Sequence, residues 1–206
     1  MLDLRAVLTQ CPIAAILRGV KPDEIDAIGD ALVEAGVIII EVPLNSPDPF
    51  GSIKRLAARH GGRALIGAGT VLMASDVGRV RDAGGQLIVA PNFDAEVVHV
   101  AKAAGLAALP GVMTPSEGFA ALKAGADGLK LFPAEIIPPA VFKAWRAVFP
   151  ADTLLLAVGG VGVDNIPAYR DAGASGYGIG SALYKPGRSA TEVGRLARAL
   201  VTAATT

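Results

Sequence analysis

The sequence predicts an α/β fold, a single (β/α)8 TIM barrel spanning residues 1–206, and three observations lead to it. Short apolar runs alternate with longer amphipathic ones from end to end, with no break in composition. Eight of the apolar runs have the length of a strand. Several of the segments between them stop on the same Ala-Gly pair, where glycine supplies the left-handed conformation that ends a helix. Apolar strands joined by helices make a parallel sheet covered on both faces, and eight such units in a chain of this length fit a small barrel. An open doubly wound sheet is the structural alternative.

Taken in order, the first run is IAAILR, Ile13 to Arg18, which ends on a cation. VIIIEVPL, Val37 to Leu44, follows the stop in VEAGV; it is dense in β-branched residues that favour extended backbone, and it carries Glu41. ALIGAGT, Ala64 to Thr70, and QLIVAPN, Gln86 to Asn92, are separated by a segment closing on RDAGG, and Pro91 with Asn92 ends the second of them beside the expected site. LAALPGV, Leu106 to Val112, comes after KAAGL, and GLKLFP, Gly128 to Pro133, comes after KAGAD and carries Lys130. LLLAVGGV, Leu154 to Val161, and GYGIGSAL, Gly176 to Leu183, flank RDAGA. Between the sixth and seventh runs, Phe142, Trp145 and Phe149 recur at helical spacing, a face to pack on the barrel or at a subunit contact. The closing LVTAATT carries no chemical signal and is expected to fray.

Composition excludes several classes of function. With 52% hydrophobic and 18% charged residues, the chain suits one compact domain with a large core. Lys plus Arg number 19 and Asp plus Glu number 19, so there is no basic excess to hold nucleic acid or an anionic membrane, and any anionic ligand must be small and locally bound. The lone Cys11 forms no internal disulfide, and the apolar PIAAIL is too short for the core of a signal peptide; both favour the cytoplasm. No run approaches the roughly 18 apolar residues of a spanning helix.

In a barrel of this kind chemistry gathers where the strands end, and only three runs bring a charge there: Arg18, Glu41 and Lys130. Singly, each has a structural explanation, a salt bridge at the barrel mouth for Arg18 and Glu41 and snorkelling for Lys130. Together, three otherwise unpaired charges fit better in one polar cavity than apart in oil. A lysine in an apolar pocket near an arginine loses its proton more easily, and a neutral amine attacks ketones. Lys130 is then a Schiff-base lysine, Glu41 a proton shuttle and Arg18 a fork for a carboxylate. Phe132, two residues past Lys130, points to the same side and walls the pocket. The glycine-rich ends of the last two runs place Gly159, Gly160, Gly180 and Ser181 where barrels often hold phosphate on exposed amides.

The segments AILRGV, EVPLNSP, ALIGAGTV, QLIVAPN, LKLFPAE, AVGGV and GIGSALY together resemble the class I aldolases that cleave 2-keto-3-deoxy-6-phosphosugar acids, from about Ile13 to about Gly187. The resemblance makes Lys130 the imine-forming lysine, Glu41 the general acid/base and Arg18 the carboxylate binder. It adds Thr70 of GAGT as a contact to the pyruvate-derived part, and it implies a phosphorylated keto-deoxy sugar acid as substrate, no cofactor and a homotrimer. Family members acting on the gluconate epimer typically read TLRTP where this chain has PLNSP, with Asn45 in the place of an arginine, and PTGG where it has AVGG, with Val158 in the place of a threonine. A threonine hydroxyl bonds a substrate hydroxyl and valine does not, so both departures favour the galactonate epimer.

Three rivals are open at this point. A metal-dependent aldolase needs a ligand cluster, but the only histidines are His60 and His99, both in helical stretches, so no metal is expected. A non-catalytic barrel binding a phosphorylated acid would use Arg18 and the glycine loops but give Lys130 and Glu41 no shared task. An isomerase or epimerase would want paired carboxylates or a carboxylate with a cysteine, and Cys11 lies ahead of the first strand at the wrong end of the barrel.

Overall fold

A helix absent from the sequence expectations opens the chain in the computed structural model, which describes residues 2–206. Helix α1 (Leu4–Gln10) starts at Asp3, whose side chain accepts the amide of Ala6, and buries Leu4, Val7 and Leu8. Leu8 plugs the bottom of the barrel. A methyl group at Gly176, where the last strand begins, would stand 2.7 Å from its Cδ2.

The strands are β1 (Ile13–Ile16), β2 (Ile39–Pro43), β3 (Leu65–Gly69), β4 (Leu87–Val89), β5 (Ala107–Leu109), β6 (Gly111–Val112), β7 (Leu129–Leu131), β8 (Leu155–Val158) and β9 (Gly176–Ile179), all parallel and all buried. Hydrogen bonding orders them β5-β4-β3-β2-β1-β9-β8-β7-β6. The two ends of that order are one strand interrupted by Pro110, which has no N–H to give the ladder. Ala90 N donates to Leu109 O on one side of it, and Lys130 N donates to Pro110 O at 3.0 Å on the other. The sheet therefore closes on itself, and the eight sequence runs are the eight staves of the barrel.

Between the staves run α2 (Ile25–Glu34), α3 (Pro49–His60), α4 (Ala74–Asp82), α5 (Ala95–Ala103), α6 (Pro115–Lys123), α7 (Pro139–Arg146), α8 (Ile166–Asp171) and α9 (Ala190–Thr205), with a 3-10 turn at Ala134–Ile136 ahead of α7. Gly36, Gly84, Gly105, Gly125 and Gly173, the five Ala-Gly stops, have φ of 90°, 88°, 75°, 98° and 91°, the left-handed conformation the sequence pattern requires. Trp145 is buried in α7 and stacks on Phe149 just beyond its end, with ring centroids 5.1 Å apart. The final segment is helical to Thr205 and buries Leu200 and Ala204, so apolar anchoring prevails where fraying was expected.

Inside the barrel the alternation along each strand turns Ile16, Glu41, Lys130 and Val158 inward. Helices occupy the outer face. Two charged side chains thus stand in an apolar interior.

Candidate active site

At the C-terminal ends of the strands the barrel opens into a cavity of about 730 Å³. Its lining includes Arg18, Lys130, Phe132, Val158, Gly159, Gly160, Gly180 and Ser181, eight of the residues named from sequence. A void of about 20 Å³ lies just inside, with Lys130, Ile16, Val158 and Gly178 shared between the two. Glu41 is among the residues that line this inner void, together with Lys130.

Lys130 is 6% exposed and Glu41 3%. Burial pulls the Lys130 amine below its ordinary range; the Glu41 charge opposes this and Arg18 reinforces it. Burial likewise pushes the Glu41 carboxyl up, against the pull of Lys130 and then Arg18. Desolvation is the larger influence on both, so each group is biased toward its neutral form. Among the described residues Oε2 of Glu41 has no hydrogen-bond partner. Lys130 Nζ lies 4.9 Å from the centroid of the Phe132 ring, which walls that side of the amine. Gly69 makes the space for Glu41: a methyl group there would fall 1.3 Å from Oε2.

Arg18 is held from the neighbouring loops. Its Nη1 donates to Asn45 Oδ1 at 2.6 Å and to Thr70 Oγ1 at 3.4 Å. Thr70 has φ of 55°, a left-handed conformation that is unfavourable for a β-branched residue and that brings its hydroxyl to the arginine. Thr70 itself is not among the residues lining the cavity. Pro91 is not among the residues lining the cavity; its carbonyl packs against Gly111, where a methyl group would approach within 2.3 Å.

Gly159 and Gly160 have φ of 100° and 64°, so their successive amides turn together at the cavity edge. Several lining residues were not singled out from the sequence, among them Gly19, Glu135, Tyr184, Lys185 and Pro186. The loops after β1 and β9 meet, with Tyr184 Oη donating to Glu24 Oε2 at 3.2 Å and Pro186 closing on Gly19. The YKPG that follows the last strand was the available signal for Lys185, a cation next to the glycine loops.

His60 is buried in α3 with Nε2 3.1 Å from Asp30 Oδ1, and neither it nor His99 lines the cavity. Among the described residues no three His, Cys, Asp or Glu side chains are grouped to hold a metal ion. Cys11 is buried at the end of α1, where burial raises its thiol. Among the described residues no helix is long and apolar enough to cross a membrane.

Comparison with known proteins adds an independent line. The family model described as KDPG and KHG aldolase matches residues 4–197. A probable 2-dehydro-3-deoxy-6-phosphogalactonate aldolase of Rhizobium meliloti (strain 1021) is 47% identical over 192 residues, covering 93% of this chain and 91% of that protein. The 2-dehydro-3-deoxy-6-phosphogalactonate aldolase of Escherichia coli (strain K12) is 44% identical over 195 residues, covering 95% of each. The solved structure described as native KDPGal superimposes with a TM-score of 0.92 at 44% identity, covering 93% of both chains.

Proposed function

This chain belongs to the KDPG and KHG aldolase family, and on that premise we propose that it reversibly cleaves 2-dehydro-3-deoxy-6-phosphogalactonate to pyruvate and glyceraldehyde 3-phosphate through a Schiff base on Lys130. One observation carries this: a buried lysine at the base of a large cavity, its amine depressed by burial, with a buried carboxyl beside the same inner void. A neutral amine there is a competent nucleophile.

The neutral Lys130 amine adds to the C2 ketone to give a carbinolamine. Glu41 moves the proton that lets water leave, and the product is a protonated imine. The C4 hydroxyl then gives up its proton, to Glu41 or to a water that Glu41 holds. The C3–C4 bonding electrons flow into the imine, leaving an enamine of pyruvate on Lys130 and releasing glyceraldehyde 3-phosphate. Protonation at C3 and hydrolysis free pyruvate and restore the amine. Arg18, oriented by Asn45 and Thr70, binds the carboxylate, and the amides and hydroxyl at Gly159, Gly160, Gly180 and Ser181 take the phosphate. Phe132 shields the amine, and Pro91, off the cavity lining, supports the site from behind through its contact with Gly111. Val158 offers no hydrogen bond to the C4 hydroxyl, which favours the galactonate epimer.

The whole chain acts as one catalytic domain, without a cofactor, in the cytoplasm and as a homotrimer. Leu72, Met73, Met113 and Phe119, exposed by 48%, 61%, 48% and 46%, supply apolar surface for the subunit contacts.

Incubation with pyruvate and borohydride followed by peptide mass spectrometry tests the chemistry. The expected result is a reduced pyruvyl adduct on Lys130. No adduct, or one confined to a surface lysine such as Lys54, would discard the imine route.

A further inference from the structure

We propose that Glu135 is a specificity-determining residue for the aldehyde half of the substrate, its carboxylate accepting a hydrogen bond from the hydroxyl next to the phosphate. Glu135 has this role only if the aldolase reading above holds. It stands five residues past Lys130 on the 3-10 turn, and it lines the cavity that Lys130 and the glycine loop also line. The turn is fixed from below, since Tyr169 Oη donates to Ala134 O at 2.8 Å and to Ile137 O at 3.4 Å.

The side chain lies across the paired glycines. A methyl group at Gly159 would be 2.5 Å from Glu135 Oε2, and one at Gly160 would be 2.5 Å from Cγ and 3.0 Å from Oε1. These glycines therefore admit a carboxylate as well as offering amides to an anion, a second reason for the pair that the sequence did not disclose. Arg18, Lys130 and Lys185 line the same cavity. Among the described residues, no hydrogen bond or salt bridge engages either oxygen of Glu135, although an ionised carboxylate is purely an acceptor.

The ligand must supply a donor. A phosphate dianion has none, and beside a carboxylate it is repelled unless a donor stands between them. The substrate carries hydroxyls at C4 and C5. The C4 hydroxyl loses its proton in the cleavage, whereas the C5 hydroxyl persists in glyceraldehyde 3-phosphate and neighbours the phosphate. Glu135 thus rewards that hydroxyl and penalises a phosphorylated aldehyde that lacks it, which is discrimination by attraction and by repulsion at one residue.

The test is run in the condensation direction with the full chain and its Glu135→Ala and Glu135→Gln variants. Pyruvate is paired with glyceraldehyde 3-phosphate or with 3-phosphooxypropanal, which lacks the hydroxyl, and exchange of the pyruvate methyl protons is followed separately. Loss of a hydrogen bond to a charged group predicts that Glu135→Ala lowers kcat/KM for glyceraldehyde 3-phosphate by about 10- to 100-fold, with partial recovery in Glu135→Gln. The hydroxyl-free aldehyde should not react more slowly with either variant, and proton exchange should match the parent. Equal loss on both aldehydes, no loss on glyceraldehyde 3-phosphate, or a parallel fall in proton exchange would overturn the assignment. Failure of the unsubstituted chain to exchange pyruvate protons would instead remove the aldolase reading, and the role of Glu135 with it.

Discussion

Glu41 and Lys130 show what a buried charge does to a fold that must also react. Burial raises the Glu41 carboxyl, so the folded chain keeps a proton to higher pH than the unfolded chain, and stability falls as pH rises through that interval. Burial lowers the Lys130 amine, so the unfolded chain binds more protons than the folded one below the ordinary lysine range, and stability rises with pH there. Near neutrality both charges oppose folding. Glu41→Gln keeps the shape without the charge, and it should raise the thermal unfolding midpoint at pH 8 while slowing turnover severely. Thermal melts from pH 4 to 8 decide this, because the gap should narrow toward pH 4; a parent chain that is the more stable at pH 8 would refute it. Gly69 is the companion case. A methyl group 1.3 Å from Glu41 Oε2 must displace the carboxylate, so Gly69→Ala should lower kcat by about 100-fold, the size of effect that about 1 Å of misplacement produces. Activity near the parent value would show that Glu41 needs no fixed position.

Among the elements, the helix stops were the most legible part of the sequence, because an Ala-Gly pair has a local cause. At Gly36 a methyl group would meet nothing within 4 Å, yet φ is 90°, so only the backbone conformation opposes a side chain. Gly36→Ala should therefore destabilise by about 1–2 kcal/mol, read as a lower urea midpoint with an unchanged slope. A neutral result would mean that the stop tolerates a Cβ. Other elements were hidden for equally physical reasons. Helix α1 was missed because its short apolar face has meaning only against the floor of the barrel, where Leu8 meets Gly176. The fifth stave was legible as one run, but its division at Pro110 follows from hydrogen bonds to two different neighbours, which no local pattern records.

For the whole molecule, the apolar residues left at the surface bear on assembly. If the proposed homotrimer uses this surface, Met73→Asp with Phe119→Glu should shift it toward monomer in sedimentation velocity, and an assembly unmoved by both changes would place the contacts elsewhere. Activity should survive exhaustive chelation, and loss restored by a divalent ion would revive a metal-dependent route. The sequence by itself determined eight strand and helix units of a parallel α/β fold, through eight apolar runs and their glycine stops, and it singled out the trio of Arg18, Glu41 and Lys130, because charges in apolar strands stand out by type alone. Only the tertiary structure decided how the trio is deployed: Glu41 and Lys130 lining one inner void, and Arg18 held by Asn45 and by Thr70. It also decided that Glu135 lies over Gly159 and Gly160, and that Pro91 stands off the cavity lining. Residue type is written in one dimension, whereas contacts between loops on different staves depend on barrel closure, which brings together positions that no sequence spacing relates.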